Sequence, residues 1–315
     1  VGLDYFNTKT RDLLLPKTID GANGFSTYWA NEGNMKNHGF ELAINTLGTF
    51  GDIIWRAGFN IAKYKNKVSE LPGTQFVADG INGFTSVARN GEEAGLICGY
   101  RSLGVFKTTE EVNAAGLMNS RGGRYVAGDT HFADIKADGI INEEDMCVIG
   151  NPNPDFFGGI TAGFSYKNFD LDAVFTYTYG NDILNVLCMK LETGAGYENQ
   201  SQIVLDRWQT QGDITNIPNV RYGDPAGNRL PSSAYIEDGS YMKLKSLTLS
   251  YNIRHSFNFI RDMKVYLSGY NLFTFSGYSG WDPEVTNGRS IFTKGYDFGQ
   301  IPQSRMFMLG IKIGL

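Results

Sequence analysis

Apolar and polar residues alternate with a period of two through eight stretches of this chain, separated by turns or by long polar segments. The alternation is cleanest in Leu247-Thr248-Leu249-Ser250-Tyr251-Asn252-Ile253 and in Met263 to Phe275. In the second of these, Met263, Val265, Leu267 and Gly269 fall on one face and Lys264, Tyr266, Ser268 and Tyr270 on the other. Side chains alternate across a strand, so the pattern predicts β-strands with one apolar and one polar face. The remaining strands are predicted at Val1 to Leu13, Gly39 to Leu47, Ile53 to Ile61, Gly159 to Tyr166, Phe169 to Tyr179 and Arg305 to Leu315. Met242 and Leu244 are out of step with Leu247, which predicts either a bulge at Lys245-Ser246 or exit of the strand from an apolar layer.

The connections between these strands run alternately long and short. Only Lys167-Asn168 separates the fourth and fifth strands, which is hairpin spacing. Gly48-Thr49-Phe50-Gly51 turns the second strand into the third. By contrast, residues 67–157 form one connection too long to be a structureless loop. Membrane barrels carry short turns on one rim and long loops on the other, whereas a soluble sandwich has no reason to place its bulk on one edge. The central pair is about a dozen residues per strand, near the ~9–11 that a tilted strand needs to span a bilayer. The expected class is therefore all-β, an antiparallel transmembrane β-barrel with long extracellular loops. Trp55, Phe59, Phe164, Tyr166, Phe175, Tyr177 and Tyr179 stand near strand ends, where aromatic girdles meet the two lipid–water boundaries. The same aromatics would also suit the core of a sandwich.

Composition agrees with the pattern. Among 315 residues there are 39 Gly, 17 Tyr and 21 Phe, with only 19% charged residues, a balance of turn-formers and aromatics that suits an all-β protein. A net charge of −5 leaves no basic footprint for nucleic acid. No run of about 18 apolar residues predicts a transmembrane helix. Cys98, Cys147 and Cys188 lack metal-ligand spacing, and an odd count argues against a disulfide framework, with a Cys98–Cys147 pair left open.

Candidate chemistry is sparse. Asp134 to Asp145 has the spacing of an EF-hand loop: Asp134 first, Asp138 fifth, Gly139 sixth, the Ile140 carbonyl seventh, Asn142 ninth and Asp145 twelfth. Lys136 stands where the third ligand should be acidic, and Asp145 reaches less far than the usual glutamate. A structural turn held by aspartate–backbone hydrogen bonds is the expected role, with Ca²⁺ weak or absent, and no other cofactor is expected. Ser240-Tyr241-Met242-Lys243 spells S-x-x-K, but it sits in a predicted strand without the companion motifs of that chemistry. His38, His131 and His255 are far apart. Asp282 and Glu284 lie too close on one extended stretch for separate acid and base roles, and shaping the loop is their expected job. The chain is expected not to be an enzyme. Thr108 to Ala115 is predicted as a short capped helix, and Asn199 to Thr210 as a helix carrying Trp208.

Several stretches carry a family resemblance. Glu237-Asp238-Gly239-Ser240-Tyr241 with Lys243-Leu244 and Leu249-Ser250-Tyr251, and Asn271-Leu272-Phe273-Thr274 followed by Tyr278-Ser279-Gly280 and Asp282-Pro283-Glu284, resemble the SusC/RagA family of TonB-dependent outer-membrane transporters of the Bacteroidetes. Val1 to Phe6, Asn37 to Glu41, Gly99-Tyr100, Gly104-Val105-Phe106, Gly128-Asp129, the Asp134–Asp145 run and Ile149 to Asp155 are similar to it as well. The resemblance implies that residues 1–315 are the C-terminal portion of a barrel of about 22 strands. These would be its last eight, with the plug and the TonB-contacting segment outside this chain. It further implies a place in the outer membrane, uptake of a bulky nutrient such as a glycan or oligopeptide, a SusD-like surface lipoprotein as lid, and TonB as energy source. Residues expected to touch substrate or lid are Tyr100, Trp208, Tyr278, Trp281 and Asp282. A soluble calcium-dependent glycan-binding β-domain and a passive porin are the alternatives.

Overall fold

The computed structural model describes every residue except 19–23, 25–26, 72–74, 79–82, 193, 195, 254–261, 286–292 and 315. Eight long strands form one sheet, each pairing antiparallel with its neighbours in chain order. They are β1 (Gly2–Thr10), β2 (Asn34–Phe50), β3 (Ile53–Glu70), β4 (Phe156–Tyr166), β5 (Phe169–Tyr179), β6 (Tyr241–Ile253), β7 (Asp262–Ser276) and β8 (Met306–Gly314). Among the described residues β1 pairs only with β2 and β8 only with β7, so the sheet is open at both edges.

Register turns the alternating pattern into two chemically distinct faces. One row across the sheet reads Gly48, Trp55, Phe164, Leu171, Leu249, Leu267 and Leu309. The next, at the short-turn end, reads Phe50, Ile53, Tyr166, Phe169, Tyr251, Val265 and Ile311. These side chains are not covered by a second layer; Leu309 is 73% exposed and Leu267 51%. Gly48 belongs in the first row because the Trp55 indole lies over it, where a Cβ would come within 2.6 Å of the ring. Aromatics therefore gather in one row beside the tight turns, the arrangement a girdle requires. On the opposite face, Arg56 Nη2 donates to Asp172 Oδ1 at 3.1 Å across the space that Gly163 leaves empty. The Thr248 and Ser268 hydroxyls are 2.8 Å apart, and Asp170 accepts from Asn252 and Lys264.

The phase slip at Lys245 is a bulge. Leu244 pairs with Phe273 and Ser246 with Tyr270, so Lys245 stands opposite two residues of β7, one of them Asn271 in the left-handed region (φ 52°). Lys243, Lys245 and Ser246 can then all take the polar side while Leu244 and Leu247 keep the apolar one. Strands β2 and β3 run further than the alternation predicts. At about 3.3 Å per residue, the 18 residues of β3 span roughly 60 Å, more than a bilayer core. Beyond Ile61 its outward positions become Lys63, Lys65 and Lys67, opposite Phe40, His38 and Lys36, and the hydrophobic signal vanishes where lipid would end.

The long connections, residues 11–33, 71–155, 180–240 and 277–305, all leave from the end of the sheet opposite the tight turns 51–52 and 167–168. The last three of them share one interior. Phe84 and Ile97 from the second connection, Leu184, Val186, Met189 and Tyr235 from the third and Tyr296 from the fourth form a single core. Five of these are fully buried, and the Tyr296 hydroxyl lies 2.9 Å from Ser86 Oγ. Strands Gln75–Ala78, Thr85–Arg89, Leu96–Gly99 and Cys147–Gly150 make a small sheet there. Leu184 also pairs in parallel with Tyr296. Cys98 lies opposite Val148 rather than Cys147, so the two thiols point to opposite faces of this sheet and all three cysteines are free. The short helix is present as α1 (Thr109–Ala115), capped by Thr108, whose Oγ1 accepts from Glu111 N at 3.3 Å. The helix expected over 199–210 is not formed. A single 3-10 turn spans Gln202–Asp206, and the Trp208 backbone donates to Ile217 O instead of closing a helical turn. A helix that the sequence reading missed, α2, spans Val186–Leu191. Among the described residues no helix is long and apolar enough to cross a membrane.

Candidate functional site

Two of the sequence stretches that carry the family resemblance meet in space at the junction of sheet and loop layer. Strand β6 supplies Tyr241, Lys243 and Lys245, all on the polar side, the last of them at the bulge. The fourth connection supplies Asp282 and Glu284 around Pro283, whose ring fixes its own backbone torsion. Lys243 Nζ donates to both oxygens of Asp282 at 2.9 Å and to Glu284 Oε2 at 2.7 Å. Lys245 Nζ donates to the same Glu284 oxygen at 2.7 Å and to Gln303 Oε1 at 3.2 Å. The Tyr241 hydroxyl donates to Glu284 Oε1, and the Glu284 N–H to Asp282 Oδ1 at 3.0 Å.

Lys243 is the only buried lysine among the described residues, with 2% of its side chain exposed, and the two carboxylates are mostly covered. An ammonium so far from water is tolerable only with full pairing and hydrogen bonding. Burial pushes the Asp282 and Glu284 carboxyls up, but the lysine hydrogen bonds and charges outweigh it and hold both below the ordinary range. Two positive and two negative charges leave the cluster neutral. Beside it lies a cavity of about 380 Å³ lined by Lys243, Asn271, Thr274, Trp281, Gln303 and Arg305.

The five expected contact residues separate in this structure. Trp281 is 73% exposed and borders both this cavity and a second of about 410 Å³ next to Leu187 and Asp297. Trp208 is half-buried against Gly128, its indole N–H donating to Lys107 O at 3.1 Å. Asp282 is bound to Lys243 as described. Tyr100 and Tyr278, by contrast, are both buried. Tyr100 packs in a second loop core with Phe106, Leu117, Tyr125, Phe132 and Ile141. The Tyr278 hydroxyl donates to Asp297 Oδ2 at 2.6 Å, and burial raises its pKa strongly.

The Asp134–Asp145 loop is closed by its own backbone. Asp134 accepts from the N–H groups of Ala137, Asp138 and Gly139, and Asp145 from those of Ile135, Lys136 and Asn142. Asp138 accepts from Ile140 N, and Asn142 caps Glu144 N at 2.8 Å. Lys136 is paired with Glu144 and Asp138. Among the described residues no group of three His, Cys, Asp or Glu side chains is arranged to hold a metal. Ser240 and Lys243 form no catalytic pair, since the Ser240 hydroxyl accepts from Gly180 N and Lys243 is committed to the carboxylates. His131 stacks on Phe106 at 4.2 Å, His38 is exposed on β2, and His255 lies outside the described residues. Sequence reasoning missed Lys243 and Lys245 as partners of Asp282 and Glu284, because nothing in a linear pattern says which loop folds back on which strand.

No family model matches the chain. It is 33% identical over 99% of its length to TonB-dependent receptor P3 of Formosa agariphila, of which it covers 32%, and equally to P26 of the same organism. It is 24% identical to TonB-dependent receptor SusC of Bacteroides thetaiotaomicron, covering 30% of that protein. The chain thus spans about a third of the length of these relatives. Among solved structures, the RagAB peptide transporter shares its fold, with a TM-score of 0.79 at 21% identity over 99% of this chain and 32% of that one.

Proposed function

The chain is homologous to the TonB-dependent receptors of the SusC/RagA kind, of which it spans about a third, and from that premise we propose that it is part of the barrel wall and extracellular cap of an outer-membrane nutrient importer. The observation that carries this reading is the uncovered apolar face. Side chains such as Trp55, Phe164, Leu267 and Leu309 form continuous rows with no second layer over them. In water such a surface would drive aggregation, while in a bilayer it is solvated by acyl chains. A soluble glycan-binding domain would need these rows packed against another sheet. The open edges at β1 and β8 suit a segment of a larger barrel, since unpaired edges are otherwise a liability.

The cargo is a bulky solute, a glycan or an oligopeptide, admitted from the loop side. A SusD-like lipoprotein covers that side, and TonB supplies energy from the periplasm. The relatives named as TonB-dependent receptors favour this over a passive porin. Chemistry on the cargo forms no part of the reading.

The test uses the full-length receptor in its own cell. Extraction from the membrane fraction is expected to require detergent; recovery in plain buffer would end the barrel reading. A deletion strain is expected to lose growth on a polymeric nutrient while keeping growth on its monomer. Uptake that persists without TonB would favour the porin.

A further inference from the structure

The fourth connection is held at several points of different chemistry, one of them Ser279, whose N–H and hydroxyl each donate to Glu237 at 2.8 Å. Tyr296 is sunk in the shared apolar core of the loop layer, and the Tyr278–Asp297 hydrogen bond ties the start of the connection to that anchor. Between them, Asp282 and Glu284 reach to the polar face of the sheet and meet Lys243 and Lys245. The bulge serves this contact: it keeps Lys243 and Lys245 on the polar side while returning Leu247 to the apolar rows.

We propose that Lys243, Lys245, Asp282 and Glu284 form an electrostatic latch that docks the fourth connection onto the sheet and sets where Trp281 stands beside the adjoining cavity. The apolar anchor at Tyr296 is independent of the latch. Breaking the charges therefore frees the segment around 279–285 to hinge about Ser279, which Glu237 still holds, while the loop core stays folded. Lys243 is a positioning residue, acting on Trp281 through Asp282. A buried charge that loses its partner is strongly destabilising where it stands, so the freed segment moves out to rehydrate it.

Hydrogen exchange on the full-length receptor in detergent tests this. With Lys243→Met, amides of 279–285 are expected to exchange at least about tenfold faster, while 294–298 and the β6 amides keep their protection. Asp282→Asn combined with Glu284→Gln should reproduce the effect, and Lys243→Arg, which keeps the charge, should retain most of the protection. Unchanged exchange at 279–285 in Lys243→Met would overturn the latch. So would loss of protection across 294–298, because the cluster would then be a folding element of the whole layer. The latch rests on contacts alone, so failure of the uptake assay leaves it standing, and its own failure leaves the importer reading intact.

Discussion

The sheet and the loop layer use the same apolar residues in opposite senses. In the sheet, Phe307, Leu309 and Phe164 face outward and are at least half exposed. In the loops, Phe84, Ile97, Leu184, Val186 and Tyr296 are fully enclosed. The loop layer is thus folded as a water-soluble domain is, around a core, whereas the sheet is held by its ladder and by ion pairs and hydroxyl contacts on its polar side. A single chain can be stable in this form only if two solvents meet it, oil around the sheet and water around the loops. The lysine–carboxylate cluster stands at the boundary between the two regimes.

The contrast can be broken most severely in the loop core. Tyr296→Ala removes the fully buried side chain that the fourth connection contributes to the shared core, together with its hydrogen bond to the Ser86 hydroxyl. It is expected to cost about 3–5 kcal/mol, seen as loss of amide protection in the loops with the sheet retained. Leu309→Ala, on the exposed face, should cost far less in detergent. A somewhat smaller effect is expected from Leu267→Arg. At mid-bilayer an arginine on the lipid face costs about 2–4 kcal/mol, so folding into liposomes should weaken by that amount. No penalty in liposomes would show that this face does not meet lipid, and the comparison would collapse.

How much of this was legible in the sequence follows from the same division. Alternation located all eight strands because each has a steady environment on either side, and the break at Lys245 marked a real bulge. It failed on β3 beyond Ile61, where the outward neighbour changes from apolar to aqueous and lysines replace isoleucines. In the loops, where order comes from contacts between distant segments, pattern said little. The stretch over 199–210 has helical composition, yet its polar groups bind other segments, with Trp208 reaching Lys107 and Ile217. Tyr100 and Tyr278 are loop aromatics enclosed by contacts between distant segments, and a linear pattern does not distinguish them from the exposed Trp281. The charge cluster was half visible: the Asp282-Pro283-Glu284 turn was expected to shape its loop, but its lysines were not.

A milder perturbation is acid. Asp282 and Glu284 have folded pKa values below the ordinary ones, so their contribution is complete above about pH 5 and is lost as pH falls through the lower folded values. The groups around them are Tyr241, Lys243 and Lys245 from β6, Gln303 and Arg305 before β8, and the neutral Asn271 and Thr274 from β7. None of these residue types changes charge in that range. Asp182 has the opposite sign, its carboxyl raised by burial, so a global unfolding midpoint would mix the two. Local exchange at 279–285 is the measurement to use. Relative to the intrinsic amide rate at each pH, it should rise on acidification in the natural protein and stay high and flat in the Asp282→Asn, Glu284→Gln variant.

The smallest effect is expected from calcium. An oxygen cage for Ca²⁺ needs six to eight ligands, and in the Asp134–Asp145 loop both oxygens of Asp134 and of Asp145 already accept backbone N–H groups. A cation would have to displace those bonds and the Lys136 ammonium that sits with Asp138 and Glu144. Calorimetric titration with millimolar Ca²⁺ should therefore give no saturable heat, and chelator should leave the exchange of residues 134–145 unchanged. A saturable signal lost in Asp134→Asn would make this loop a metal-ordered element, and the layer's independence from anything but its own packing would fail there first.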